Sequence, residues 1–272
     1  MGGADHLDEL NTKLRATCYI RREKSEVLKE LPAKQRAFIS LTLANAKEYA
    51  LAEADIVNYA AERAINKADF LDEIAILSED QRKAAIDARA DDAATRAENA
   101  ETLVRIELLK QLAAEGKLDA AIEWITDFLE SGEKLVVFAT HKHIIRKLAE
   151  HFQAPAITGE TPVERRQEYV DRFQTDDTCR LIILNIQAGG VGLTLTAASN
   201  VAFLELGWTP ALHDQAEDRC HRIGQTDAVT AWYLLAQDTI DDEIFKLLES
   251  KRKVFEAAVV GDVISADQAD QQ

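Results

Sequence analysis

The chain is organised around Gln215-Ala216-Glu217-Asp218-Arg219-Cys220-His221-Arg222-Ile223-Gly224-Gln225. Arg219 and Arg222 stand three residues apart ahead of a glycine, a spacing that predicts a helix carrying both side chains on one face and ending at Gly224. Two guanidiniums on one rigid element suit a polyanion. Each planar fork donates two parallel hydrogen bonds to phosphate oxygens and stays charged at any working pH. The same residues also fit an exposed helix with an internal Asp218 to Arg222 pair, worth roughly a few tenths of a kcal/mol.

With 272 residues, 47% hydrophobic, the chain has the size and composition of one large globular domain or two small ones. No apolar run reaches the length of a membrane span and no basic segment precedes an apolar one, so no membrane partner and an intracellular location are expected. Cys18, Cys179 and Cys220 are odd in number and lack a Cys-x-x-Cys spacing, which argues against a disulfide framework or a metal site. The net charge of -16 opposes nucleic-acid binding at first sight, yet residues 13–36 hold eight basic side chains against three acidic ones. A basic strip on an acidic body is compatible with DNA.

Pro32 halts a short basic helix that begins near Tyr19, and the chain runs extended after it. Residues 41–117 contain no proline and one glycine, Gly116, and their Ala, Glu, Lys and Leu content predicts two or three long helices. Their apolar stripe includes Ala60, Ala61, Ala64, Ile65, Ala68, Phe70, Leu71, Ile74 and Leu77, with Ser78 and Gln81 as a capping box. From Lys117 a helix runs to Gly132, after which short apolar runs alternate with amphipathic segments, the pattern of a parallel sheet with helices on both faces. Strands are expected at 134–139, 155–158, 180–184, 200–204 and 230–235. A last helix, 240–260, has Thr239 and Asp242 as its capping box and Ile244, Leu247, Leu248 and Val254 on its buried side.

Residues 215–225 resemble motif VI of the Swi/Snf-type branch of superfamily 2, the DNA-stimulated ATPases that translocate on duplex DNA. Gln215, Ala216, Asp218, Arg219, Arg222, Gly224 and Gln225 match that pattern. Other stretches resemble the family's blocks in the same order. Tyr19 to Arg36, with Leu31-Pro32-Ala33-Lys34, resembles the arginine-rich linker into the second ATPase lobe. Thr140-His141-Lys142 resembles motif IV, and Gly159-Glu160-Thr161 with Arg166 resembles the next block. Asn185 to Thr196 resembles motif V, although Asn185-Ile186-Gln187 departs from the small hydroxyl and basic residues common there. Glu205-Leu206-Gly207-Trp208-Thr209-Pro210 resembles the acidic-x-x-Trp-x-Pro block. Within the family, the closeness is to the annealing helicases.

The resemblance implies an α/β fold, a RecA-like open parallel sheet with helices on both faces plus a helical insertion. It divides the chain into a basic interlobe linker and lobe entry (1–40), the insertion (41–117), the helicase C-terminal lobe (118–260) and an acidic flexible tail (261–272). It implies that Arg219 and Arg222 are catalytic, acting on ATP held by another lobe, and that Gln215, Gly190 and Gly192 touch nucleotide. Thr140, His141, Lys142, Gly159, Arg166, Gly189 and Thr194 are the implied DNA contacts. Glycines after a strand let the backbone approach phosphate closely. The phosphate loop Gly-x-x-x-x-Gly-Lys-Ser/Thr and a magnesium-holding acidic motif are absent from the sequence. ATP and Mg2+ are therefore expected only together with an N-terminal ATPase lobe, and the chain alone is expected to be inactive. Duplex DNA and that first lobe are the expected partners, with a further protein partner open to residues 41–117. The alternative is a non-catalytic docking module for a separate ATPase lobe or partner.

Overall fold

The computed structural model describes residues 9, 11–13, 16, 27–55, 59, 62, 65–66, 68–99, 102–187 and 192–259. Most of the basic helix expected from Tyr19, together with Ala60, Ala61, Ala64, Gly189, Gly190 and the acidic tail, lies outside those residues. The chain divides into two compact units. One gathers Met1–Ile39, Ile125–Leu235 and Asp242–Gln272, the other Ser40–Trp124 and Ala236–Asp241. Among the described residues no helix is long and apolar enough to cross a membrane.

In chain order among the described residues, β1 (Lys34–Leu41) is followed by α1 (Ala46–Ala54), α2 (Ala68–Ala75), α3 (Glu79–Asn99) and α4 (Thr102–Gly116). Then come α5 (Leu118–Glu130), β2 (Leu135–Ala139), α6 (Lys142–Phe152), β3 (Ala156–Ile157), α7 (Val163–Thr175) and β4 (Leu181–Asn185). The chain continues through β5 (Asn200–Phe203), α8 (Pro210–Glu217), β6 (Val229–Ala236) and α9 (Ile240–Val259).

The first unit is built on a six-stranded sheet in the order β1-β6-β5-β2-β4-β3. At its centre β2 runs parallel to β4 and to β5, with Val137 opposite both Ile183 and Ala202. β3 on β4 and β6 on β5 are parallel as well. The run Leu135-Val-Val-Phe-Ala139 is buried at every position, because a central parallel strand is covered on both faces and an alternating pattern would expose one of them. α6 packs on β2, β3 and β4, and α7 on β3 and β4. All five expected strands are present. β1 is an additional edge strand where only an extended chain was foreseen; Val229 N–H donates to Ala33 C=O at 2.9 Å beside it.

The second unit packs α1 on α4 and α2 on α3. Its core includes Tyr49, Ala52, Phe70, Ile74, Leu112 and Ala113. Ala44 N–H donates to Gly116 C=O at 2.8 Å and Asn45 Nδ2 to Leu112 C=O at 3.1 Å, which closes the end of α4 onto the start of α1. Ile240 N–H donates to the Tyr49 hydroxyl at 2.7 Å, and Lys117 Nζ meets Asp241 Oδ2 at 2.5 Å. The capping box is present: Ser78 N–H donates to Gln81 Oε1 at 3.2 Å, and Gln81 N–H to Ser78 Oγ at 3.4 Å.

Some expected burial fails. On α9 the covered stripe follows Ile240, Ile244, Leu248 and Arg252, each four residues from the last, while Leu247 and Val254 are exposed. On α2 the buried pair is Phe70 and Ile74, and Leu71 is exposed. In both helices an apolar residue next to the covered row is turned about 100° away from it.

Candidate functional site

Pro210 opens α8 at its first turn, a place where a missing N–H costs nothing. The helix ends at Glu217, ahead of both arginines, which corrects the expectation of a shared helix face. Arg219 N–H bonds to Ala216 C=O at 3.2 Å in a tightened last turn, and Arg219 C=O is taken by Leu195 N–H at 2.9 Å. That carbonyl is lost to any continuing ladder, so the chain turns. Gln225 N–H returns to Arg222 C=O at 2.9 Å across Gly224, whose φ of 101° suits a residue without Cβ. Gln225 is buried and locks this turn by its side chain, Nε2 donating to Ala198 C=O at 2.8 Å and Oε1 accepting from Asp227 N–H at 2.9 Å.

The turn borders a cleft of about 360 Å³ lined by Leu28, Gln215, Asp218, Arg219, His221, Arg222 and Ile223. Arg222 is exposed and donates to Thr194 Oγ1 at 3.3 Å. Arg219 is partly buried, and among the described residues its Nε–H has no acceptor. Burial first, then the Arg222 guanidinium, brings Arg219 below the ordinary arginine range, against the attraction of Asp218. A donor buried without a partner costs roughly 1–3 kcal/mol. Gln215, Arg219, Arg222 and Thr194 thus come together. Gly192 is described, with φ of 21°, whereas Gly189 and Gly190 fall outside the described residues.

A second group stands at the carboxyl ends of β2 and β4. Glu205 is buried and accepts the N–H groups of Thr140 at 2.8 Å and His141 at 2.9 Å, and it also holds His141 Nδ1. Burial raises the Glu205 carboxyl, but these His141 and Thr140 bonds carry it below its ordinary value. Asn185 Nδ2 donates to Thr140 C=O at 2.7 Å. The Thr140 Oγ1 is buried with no hydrogen-bond partner among the described residues. Lys142 forms an exposed pair with Glu160. Arg166 turns back on its own loop, Nε donating to Thr161 C=O at 2.7 Å and Nη2 to Gly159 C=O at 3.0 Å.

Sequence reasoning missed the charges beneath the arginine turn. Glu217 is fully buried; its carboxylate accepts from Arg36 Nε and Nη2, both at 2.8 Å, from Lys34 Nζ at 2.8 Å and from the Tyr233 hydroxyl at 3.0 Å. Burial raises this carboxyl, yet Arg36 and Lys34 win and bring it down to about 2. Arg36 Nη2 also meets Asp214 at 2.8 Å, which Arg252 reaches at 3.2 Å. The only signal was Glu217 itself, an acid in the apolar register of α8. Trp208 is half-buried, and Lys251 Nζ donates to its carbonyl at 3.2 Å.

Residues 116–224 match the model of the helicase conserved C-terminal domain. A SWI/SNF-related matrix-associated actin-dependent regulator of chromatin subfamily A-like protein 1 from Xenopus laevis is 35% identical over 258 residues, covering 93% of this chain and 24% of that protein. A DNA annealing helicase and endonuclease ZRANB3 from Mus musculus is 35% identical over 263 residues, covering 93% and 21%. The chain therefore spans about a quarter of the length of these curated relatives. The Sulfolobus solfataricus SWI2/SNF2 ATPase core domain superposes with a TM-score of 0.55 at 24% identity, covering 97% of this chain and 52% of that one. Its complex with dsDNA gives 0.54 at 22%, covering 94% and 52%. The fold is RecA-like.

Proposed function

The chain belongs to the Swi/Snf type of superfamily 2 as its C-terminal helicase lobe, close to the annealing helicases, and on that footing we propose that it is the second motor lobe of an ATP-dependent duplex-DNA translocase. Arg219 and Arg222 face ATP bound on a first lobe, and Gln215, Gly190 and Gly192 are assigned to the nucleotide with them. ATP, held there with Mg2+, supplies the phosphoryl group whose transfer to water drives the cycle. Arg219 and Arg222 offset negative charge on that group, a role for which a fixed guanidinium needs no proton exchange.

The observation that carries this reading is that Gln215, Arg219 and Arg222 line one cleft of about 360 Å³; the Arg219 Nε–H is buried and lacks an acceptor among the described residues. The tracked DNA strand is assigned to Thr140, His141, Lys142, Gly159, Arg166, Gly189 and Thr194. Glu205 fixes the motif IV loop and holds the His141 ring by its Nδ1 edge. The exposed Lys142–Glu160 pair is the kind that contributes little and exchanges readily for phosphate.

Arg219→Ala tests the reading in the complete two-lobed protein with duplex DNA present. Loss of an arginine finger costs about 10³ to 10⁵ in turnover. An unchanged rate of phosphate release would remove Arg219 from the nucleotide.

A further inference from the structure

We propose that Arg36 is a positioning residue for the arginine turn, acting through Glu217, so that the strand entering the lobe sets where Arg219 stands. The inference rests on the nucleotide-facing role given to Arg219 above.

Glu217 holds two positions at once. Its side chain is gripped by four donors, with the Arg36 Nε and Nη2 forming a two-point fork at 2.8 Å each. Its main-chain carbonyl accepts the N–H groups of Cys220 at 3.1 Å and His221 at 3.0 Å, which shapes the turn containing Arg219. The same entering segment makes further holds on that turn. Pro32 C=O meets His221 Nε2 at 2.7 Å, Lys34 Nζ meets Asp218 at 3.5 Å, and Arg36 Nη2 meets Asp214 at 2.8 Å. Residues 32–36 therefore fix residues 214, 217, 218 and 221, on both sides of Arg219.

Stability alone is a weak account of this arrangement. A buried ion pair contributes little over apolar residues of the same shape, since its attraction is spent on desolvation. What the fork adds is direction: a bidentate guanidinium–carboxylate pair defines a plane as well as a distance, which an ammonium cannot do. A turn with only main-chain bonds would let Arg219 drift, and a displacement near 1 Å costs about 10²-fold in rate at a reacting centre.

The test measures kcat and KM for ATP, together with the thermal midpoint, in the complete two-lobed protein with duplex DNA. Arg36→Ala is expected to lower kcat and kcat/KM together, by about 10²-fold. Arg36→Lys, which keeps the charge and loses the fork, is expected to recover the thermal midpoint but not kcat. In an Arg219→Ala background, Arg36→Ala is expected to cause no further loss of kcat. Recovery of kcat by Arg36→Lys, or a loss that multiplies through Arg219→Ala, would overturn the positioning role and leave the role of Arg219 standing. An Arg219→Ala protein of full activity would remove the reading of Arg219 and this inference with it. If Arg36→Ala fails to fold, the double variant Arg36→Met with Glu217→Gln removes both charges of the fork together, while Lys34 keeps Asp218 at 3.5 Å. Low kcat at a native midpoint then supports the proposal, and native kcat refutes it.

Discussion

His213 lies fully buried against the rings of Phe203 and Tyr233, at 4.7 and 5.5 Å, and its Nε2 accepts from Gly207 N–H at 3.0 Å. Burial first, with Arg252 and Arg36 nearby, takes it down from 6.5 to about 4. The unfolded chain then binds a proton that the native ring refuses. Stability is full above pH 6.5 and is lost as the pH falls towards 4, by about 2 to 4 kcal/mol from this residue. Thermal midpoints measured across that window should decline, and His213→Phe should flatten the decline while lowering the midpoint at pH 7, since it orphans the Gly207 N–H. Glu217 acts in a more acidic window: its contribution is present above 4.5 and disappears as the pH approaches about 2. Glu217→Gln leaves Arg36 and Lys34 to the more exposed carboxylates of Asp214 and Asp218 and is expected to cost about 3 kcal/mol in a denaturant titration. The arginines could be read from spacing, but the clasp could not, because Arg36 and Glu217 are 181 residues apart and a sequence gives no sign of which charges lose their water.

At the scale of elements, α4 ends in a close approach. A Cβ on Gly116 would stand 1.8 Å from Asn45 Oδ1 and 2.8 Å from Leu43 Cδ1. Gly116→Ala is therefore expected to destabilise the second unit by about 1 to 3 kcal/mol, read as a lower denaturation midpoint. Ser78→Ala removes one half of the capping box before α3 and should cost about 1 kcal/mol, visible as faster amide exchange in the first turn of that helix. The central strands were legible because burial on both faces leaves uninterrupted apolar runs. β1 was not, since Lys34-Gln35-Arg36 reads as polar surface and its place comes from β6, far along the chain. The end of α8 was equally hidden: spacing foretold a helix through Arg222, and the Leu195 N–H that takes the Arg219 carbonyl belongs to another segment.

At the scale of the whole molecule, the net charge of -16 requires phosphates to be met by local basic groups. Affinity for duplex DNA should fall with salt by about 0.9 in log–log slope for each phosphate neutralised. The chain alone is expected to release no phosphate from ATP with or without DNA, and to do so once the first lobe is added; release by the chain alone would mean that it holds a complete nucleotide site. The edge strand has a consequence in time as well as in space. Gln35 meets Thr230 across 195 residues, so on a ribosome adding about 5 to 20 residues per second β1 emerges roughly 10 to 40 seconds before its partner strand. Throughout that interval its backbone groups have no neighbour in the sheet, and the strand made first is among the last to be enclosed. The helical segment between them acts as a clock, each ten residues within it adding about half a second to two seconds of exposure during synthesis.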